Sequence, residues 1–280
     1  KKGLALIGER KHERFATTGI VFATGSTWLA RSLAQTGDFY DAIAAATQAV
    51  VIGEETNDSY SLSYGLYSLG MVLLIQGKLN AAIPPLERAL DICRTSSIPV
   101  QLPLIWSCLG FAYALSGKID AGQQLLQQAV ESGASMRRIG GQPMRMAWLC
   151  ETLLSANRVK EAQSIAQNAF DIVRKVKDRG GQAWILRLLA QIEANSYFQD
   201  YERAKFYYEQ SLELATELGM RPVQAHCHDD LGHLYLRMEK YREAWRELSA
   251  AIELYQNLEM VLWLPAAENT LTNLNKEGLS

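Results

Sequence analysis

The sequence lacks the features that mark several common classes of protein. Its four cysteines include no Cys-x-x-Cys pair and sit within apolar helical patterns, which indicates reduced, buried thiols. No apolar run reaches the ~18 residues of a membrane-spanning helix. The formal net charge of -2 at pH 7 leaves no basic surplus and no acidic tail. We therefore expect a cytoplasmic protein that spans no membrane and binds no nucleic acid.

Two further absences concern secondary structure and the beginning of the chain. No segment alternates between apolar and polar residues over the length of a strand, so no β-sheet is expected. The stretch from Lys1 to Arg10 is too short and too charged for a secretory signal, and it has no initiator methionine. We expect the chain to be part of a longer protein. Its 48% of hydrophobic residues suffices for a continuous core.

A helix-turn-helix pattern recurs along the chain. Its first helix carries a Leu-Gly pair that leaves room for a neighbouring helix, and its second helix carries a small residue that packs back on the first. Three copies have the same spacing. In the first, Leu69-Gly70 is followed by Ala82; in the second, Leu109-Gly110 is followed by Gly122; in the third, Leu231-Gly232 is followed by Ala244. This order of residues resembles the tetratricopeptide repeat (TPR). The resemblance implies an all-α scaffold, on which many different partners could bind.

The small residue of the second helix recurs through the whole chain. It falls at Ala42, Ala82, Gly122, Ala162, Ala204 and Ala244, in steps of 40, 40, 40, 42 and 40 residues. A standard TPR repeats every 34 residues. The interval from the Leu-Gly pair to the small residue is the standard one, so the extra residues must lie between one hairpin and the next. We therefore expect helices that are longer than those of a standard repeat.

This spacing predicts an α-α superhelix, a TPR-like solenoid of about six hairpins with a C-terminal capping helix. Residues 1–19 are expected to end a preceding repeat or to form an N-terminal cap, 20–259 to form the hairpins, and 260–280 to form the capping helix and tail. The expected helices of the first three hairpins are 20–36 and 39–54, 58–76 and 79–95, and 100–116 and 119–134. The later hairpins should begin after Gly141, after Gly181 and near Arg221, and the last helix should lie near 260–275. The TPR resemblance also implies a right-handed superhelix whose first helices line the concave face.

Three sequence segments extend the resemblance beyond the generic repeat. They are His12-Glu13-Arg14-Phe15, the stretch from Gly219 to His228, and Trp263-Leu264-Pro265-Ala266-Ala267-Glu268. With the 40-residue step, nearly the whole chain resembles the C-terminal TPR region of bacterial multidomain class III adenylate/guanylate cyclase–ATPase proteins. In that family the array is regulatory or scaffolding, and catalysis belongs to earlier domains. The present chain contains no Gly-x-x-x-x-Gly-Lys-Ser/Thr motif, and we expect it to have no enzymatic activity and no cofactor.

The cluster of His226, Cys227, His228 and His233 suggests a metal site at first sight. On a helix, however, His226 and His228 point about 200° apart. His226 and His233 share a face but stand about 10 Å apart along the axis, too far for one ion. We therefore interpret Cys227 and His228 as packing residues and predict no metal. No nucleophilic triad can be assembled from the remaining residues.

The concave groove is the candidate binding surface. TPR geometry places first-helix residues on either side of the Leu-Gly position in the groove. The candidate groove residues are Tyr64, Tyr67, Met71, Phe111, Glu151, Trp184, Arg187, His226, Asp229 and His233. Its first part is apolar and aromatic, and its second part is polar. Exposed aromatic residues of this kind often anchor an interface. Alternatively, the longer helices could tighten the superhelix so that these residues pack against each other.

Two functions follow, and the sequence leaves both open. The first is a non-catalytic scaffold module that binds a peptide or protein segment in the groove, such as a domain of its own parent chain. The alternative is a regulatory domain that senses a small molecule and controls an attached cyclase or ATPase. A closed pocket at Tyr67, Phe111 and Trp184 would favour the sensor, and an open trough would favour the peptide. Leu262, Trp263 and Leu264 are apolar near the solenoid end, so a homodimer through the cap is a further expectation.

Overall fold

A computed structural model describes residues 10–14, 18–136, 141–196 and 199–276. Over these residues the regular structure is helical and contains no strand, as predicted. The thirteen α-helices in the described ranges are α1 Val21–Thr36, α2 Phe39–Glu55, α3 Ser59–Ile75, α4 Leu79–Thr95, α5 Leu102–Leu115, α6 Ile119–Ser135, α7 Gln142–Ser155, α8 Val159–Val176, α9 Arg179–Asn195, α10 Tyr201–Glu217, α11 Arg221–Arg237, α12 Tyr241–Asn257 and α13 Leu264–Lys276. They form six hairpins and one final helix, which confirms the predicted fold class.

Most helix ends lie within two residues of their expected positions, and the fifth hairpin is the clearest difference. We expected its first helix after Gly181, but α9 begins at Arg179. The Asp178 carboxylate accepts a hydrogen bond from the Gly181 backbone N–H at 2.9 Å. An Asp side chain that caps the free N–H groups of a first turn lets a helix continue through glycine. The two glycines therefore belong to the helix and do not precede it.

The extra residues of each repeat lie in the helices. Most helices contain 16 to 18 residues, and α5 and α7 contain 14. The link from α2 to α3 is only the segment 56–58, and the link from α8 to α9 is 177–178. Such short links confirm the expected lengthening of the helices. A 3₁₀ turn, Pro99–Gln101, precedes α5 and delays its start.

The chain divides into two compact units, Lys1–Ser132 and Gly133–Ser280. In the first unit, α3 is central and contacts α1, α2, α4 and α5. In the second unit, α9 is central and contacts α7, α8, α10 and α11, and the last helix α13 packs on α12. In each unit the first helices of successive hairpins are therefore neighbours, which brings their side chains onto one surface.

Close helix packing occurs at the small residues that the spacing singled out. Ala42, Ala82, Ala162, Ala204 and Ala244 are all fully buried. A Cβ atom on Gly70 would lie 2.4 Å from Leu86 Cγ, so the helices α3 and α4 pack closely at this point. In the fourth hairpin Cys150 stands where the other hairpins have glycine, and its thiol donates to the Ala162 carbonyl at 3.5 Å.

Two other expectations concern the cysteines and the beginning of the chain. All four cysteines are free and buried, as predicted. The prediction that 1–19 ends a preceding repeat lies largely outside the described residues. Within them, His12 approaches Glu55 at 3.0 Å and Arg14 pairs with Asp58. None of the helices within the described ranges combines the length and the apolar character needed to cross a bilayer.

Candidate functional site

The aromatic residues of the first unit pack on one another. Tyr64 and Tyr67 occupy successive turns of α3, and their rings stack with centroids 5.8 Å apart. The Tyr67 hydroxyl lies 3.5 Å from the sulfur of Met71, one turn further on. Tyr67 is 3% exposed, Met71 4% and Phe111 7%, whereas Tyr64 is half-buried. Tyr64, Tyr67 and Met71 therefore form a packed row on α3, with Tyr64 as its more accessible member, and Phe111 is buried on α5.

Arg31 on α1 reaches this layer. Its guanidinium carbon is 5.8 Å from the centroid of Tyr67 and 5.5 Å from that of Trp28. The Tyr67 phenol raises the pKa of Arg31 most, burial lowers it, and the phenol of Tyr64 raises it further. Trp28 is 60% exposed, so one side of this cation faces an accessible indole.

In the second unit, a buried arginine joins three of the central helices. Arg187 of α9 is 5% exposed. Its Nε donates to Asp230 of α11 at 2.7 Å, and its Nη1 lies 3.6 Å from Glu151 of α7. Gln191, one turn after Arg187, donates to the same Asp230 carboxylate at 3.1 Å. Burial lowers the pKa of Arg187, but the two carboxylates raise it well above its ordinary value, so this guanidinium stays charged.

A second polar network starts at His226. Its Nδ1 lies 3.0 Å from the Tyr255 hydroxyl, which donates to Asp229 Oδ2 at 3.4 Å. Because a carboxylate accepts only, the Tyr255 proton goes to Asp229, and His226 donates through Nδ1. Burial lowers the pKa of His226 well below its ordinary value. The ring lies 5.8 Å from Trp184 and 4.6 Å edge-on from Trp263. His226 is therefore a neutral histidine within an aromatic enclosure.

A cavity of about 300 Å³ lies beside these networks. Residues of α7, α9, α10 and α11 line it, and the polar ones at its wall are Glu151, Ser155, Gln191, Asn195, Tyr208, Asp230, His233 and Arg237. Burial raises the pKa of Glu151, against the lowering effect of Arg187. Burial, together with the charge of Asp230, raises the pKa of Asp229 to about 6. Two carboxylates, those of Glu151 and Asp230, lie within 3.6 Å of the Arg187 guanidinium.

Asp229 connects the two networks and has unused capacity to accept hydrogen bonds. Its Oδ1 is buried without a hydrogen-bond partner among the described residues. His233 Nε2, on the wall of the cavity, lies 3.6 Å from this oxygen. An unpaired buried acceptor costs on the order of 1–3 kcal/mol, so this corner of the site favours a donor.

The predicted site residues thus fall into two groups, one in each unit. The first unit holds Tyr64, Tyr67, Met71 and Phe111, and the second holds Glu151, Trp184, Arg187, His226, Asp229 and His233. Of these, Glu151 and His233 line the cavity. The others mostly pack within their own unit, which is the alternative that the sequence left open.

Sequence reasoning missed Arg31, Asp230, Tyr255 and the contact of Trp263 with His226. A signal was present for Arg31, which is the one charged residue of α1. The absence of a visible partner nearby in the sequence marks such a residue for pairing across the fold. Asp230 gave none, because α11 contains several other charged residues and histidines. Tyr255 and Trp263 carried no such signal, because an aromatic residue in a helix is ordinarily core.

The histidines do not converge on one point. His226 bonds to Tyr255, whereas His228 lies 2.6 Å from Glu247 of α12, the partner helix. Cys227 is buried in an apolar cluster with Val223 and Trp184, as expected for a packing residue. Within the part of the chain that the structure describes, no three His, Cys, Asp or Glu side chains are placed to hold a metal ion.

Comparison with known proteins identifies the repeat. A family model described as tetratricopeptide repeat matches residues 22–95 and 144–217, together more than half of the chain. No curated protein sequence matches the chain.

Solved structures share the fold at low sequence identity. The Rap conjugation gene regulator of plasmid pLS20, in complex with the Phr* peptide, is 16% identical with a TM-score of 0.68, over 86% of this chain and 64% of that one. A Rap protein complexed with competence and sporulation factor is 15% identical with a TM-score of 0.65, over 99% and 80%. A signal transduction ATPase with a TPR sensor, from Pyrococcus horikoshii, is 16% identical with a TM-score of 0.57, over 89% of this chain and 37% of that protein.

Proposed function

The chain belongs to the tetratricopeptide repeat family, and we propose that it is a non-catalytic scaffold module that binds a peptide or protein segment through its second unit. The observation that carries the proposal is the cavity of about 300 Å³ at the first helices α7, α9 and α11. A cavity of this size accommodates one side chain or chain end, with the rest of a segment lying outside.

The charges at the cavity define the segment that fits. Glu151 and Asp230 line the cavity and Asp229 lies beside it, whereas the guanidiniums there are those of Arg187 and Arg237, so carboxylates outnumber guanidiniums by three to two. A lysine or arginine side chain, or a free amino terminus, would offset this excess and donate to the unpaired Asp229 Oδ1. Two of the structural neighbours, both Rap proteins, were solved with a peptide or a competence and sporulation factor bound, which supports a peptide as the ligand class.

We further propose that the module regulates a larger signalling protein in the cytoplasm. The resemblance of the chain to the array that follows a cyclase and an ATPase motivates this part of the proposal. The ATPase from Pyrococcus horikoshii, which carries a TPR sensor and spans far more than this chain, is consistent with it. A homodimer through the cap stays a prediction, and Trp263 turns part of its surface toward His226 and Tyr255.

Selection of peptides from a random library displayed on phage tests the proposal. The full chain should enrich peptides that contain lysine or arginine, and fluorescence anisotropy then gives the affinity of a selected peptide. Glu151→Gln should weaken binding about tenfold or more, because a charge-assisted hydrogen bond contributes about 1.5–3 kcal/mol. The substitution keeps the Arg187–Asp230 pair intact, so the fold should persist.

The matched control is Glu213→Gln, which removes the same charge from an exposed position on α10. Its peptide affinity should equal that of the wild type, and circular dichroism should show all three proteins equally helical. An unenriched library, or equal affinities for Glu151→Gln and Glu213→Gln, would overturn the proposal.

The alternative is a sensor of a small molecule. The cavity volume lies at the lower end of the range for small-molecule sites, so it would suit a small ligand. This alternative predicts that small amines raise the melting temperature of the wild type but not of Glu151→Gln. Stabilisation by an amine together with an unenriched peptide library would favour the sensor over the scaffold.

A further inference from the structure

We propose that Arg31 forms a separate binding site in the first unit, one that takes the carboxylate of a glutamate or aspartate side chain in a peptide or protein segment. The site consists of Arg31 and Trp28 on α1 with Tyr64 and Tyr67 on α3. It shares no residue with the cavity of the second unit.

The guanidinium of Arg31 is held between two aromatic rings. Its central carbon lies 5.5 Å from the Trp28 ring and 5.8 Å from the Tyr67 ring. Tyr67 is nearly inaccessible and stacks on Tyr64, so one face of the site is rigid. Trp28 is 60% exposed and forms the accessible face. The arrangement holds a cation in a fixed position that solvent can reach from one side.

Arg31 lacks the counter-ion that a cation in such surroundings requires. Its Nε is buried without a hydrogen-bond partner among the described residues. The phenols of Tyr67 and Tyr64 act most strongly on its charge, and Tyr64 also hydrogen-bonds to it, but among the described residues it forms no ion pair with a carboxylate. The contrast with Arg187 is direct, since that buried guanidinium has two carboxylates within 3.6 Å. Buried charges in proteins are ordinarily paired, so the missing carboxylate is expected from a ligand.

The surroundings favour an acidic side chain over other carriers of negative charge. A guanidinium pairs with a carboxylate through two parallel hydrogen bonds, and Nε is one of the donors of that geometry. Arg31 as a whole is half-buried and lies beside the exposed indole of Trp28, so an acidic side chain can approach it there while the main chain of the ligand remains over Trp28. An apolar or aromatic residue next to the acid would then lie against the indole.

Nuclear magnetic resonance of the ¹⁵N-labelled full chain tests the site. The reporter is the indole N–H signal of Trp28, assigned by its loss in Trp28→Phe. The probes are acetyl-Glu-Phe-amide, the neutral acetyl-Gln-Phe-amide, and acetyl-Gln-Phe with a free terminal carboxylate. Acetyl-Glu-Phe-amide should shift the signal saturably, and the neutral probe should bind about tenfold more weakly or worse.

Arg31→Gln should lose the response to acetyl-Glu-Phe-amide. Arg31→Lys, which keeps the positive charge but not the planar guanidinium group, should give a weaker response. Arg94→Gln removes the same charge from an exposed position on α4 and should respond as the wild type does. Equal responses to the acidic and neutral probes, or an unchanged response in a folded Arg31→Gln, would overturn the site. A stronger response to the free terminal carboxylate would overturn its assignment to an acidic side chain.

The test is independent of the cavity in the second unit. The reporter Trp28 lies in the first unit, and none of the probes carries an amine or guanidinium that could pair with the carboxylates of the second unit. Glu151→Gln should therefore leave the response of Trp28 unchanged, and the peptide selection can fail while this titration succeeds, or the reverse.

Discussion

At the scale of single residues, several polar side chains in the first helices of the second unit are paired across helices. Arg187 and Asp230 are 43 residues apart in the chain and bond at 2.7 Å. His226 bonds to Tyr255 and is enclosed by aromatic rings, although the repeat pattern predicted it at the surface of the groove. This burial has a consequence for the protonation of His226.

We predict that His226 makes stability depend on pH. In the unfolded chain a histidine accepts a proton below about pH 6.5, whereas burial keeps His226 neutral. The unfolded state then binds more protons, so the free energy of unfolding falls as pH drops through this range. Between pH 7.5 and 5.5 the wild type should lose about 1 kcal/mol more than His226→Phe, measured by urea unfolding.

Asp229 has the opposite effect on how the free energy of unfolding depends on pH, and it is present in both the wild type and His226→Phe. Its folded pKa of about 6 exceeds the unfolded value, so its protonation favours the folded state as pH falls from about 6 to about 4. The difference between wild type and His226→Phe therefore isolates the histidine. Identical pH profiles for the two proteins would contradict a neutral, buried His226.

At the scale of helices, the identity of the small residue sets how closely two helices pack. The sequence pattern treated alanine and glycine as equivalent at this position. In the third hairpin, however, glycines face each other: a Cβ on Gly122 would lie 2.5 Å from the Gly110 carbonyl oxygen and 2.8 Å from the Ala114 backbone nitrogen. Backbone atoms cannot rotate away, so α5 and α6 are closer there than a methyl group permits.

Gly122→Ala should accordingly reduce the free energy of unfolding by about 1–3 kcal/mol, despite the better helix propensity of alanine. Urea unfolding monitored by circular dichroism measures the change. The control is Gly180→Ala within α9, where the nearest atom to a new Cβ is 3.7 Å away. That substitution should be neutral or stabilising by up to about 1 kcal/mol. Equal losses in both variants would refute the role of close backbone approach.

At the scale of the whole molecule, the chain consists of two compact units whose helices contact mainly their neighbours. In such an array, stability is approximately a sum of repeat and nearest-neighbour terms. A local defect should therefore weaken its own unit more than the other. Substitutions of Gly122 and Arg187 would each create a local defect, the first in the first unit and the second in the second unit.

Hydrogen exchange measured by mass spectrometry should show this division. Gly122→Ala should speed exchange mainly in α4 to α6, because it separates packed backbones there. Arg187→Gln should speed exchange mainly in α7, α9 and α11, because it leaves buried carboxylates unpaired. Faster exchange spread evenly over both units in either variant would show instead that the chain unfolds as one cooperative body.

The sequence by itself determined the helices and their pairing into hairpins. The reason is that these depend on local properties: the spacing of apolar residues, a glycine opposite a small residue, and turn residues such as Gly37 and Gly77 in the left-handed region. Only the tertiary structure decided which side chains of successive first helices meet. The pairing of Arg187 with Asp230, and the absence of a carboxylate at Arg31 among the described residues, depend on the rotation and offset of helices some 40 residues apart. No local pattern encodes those quantities, because they result from the packing of whole helices.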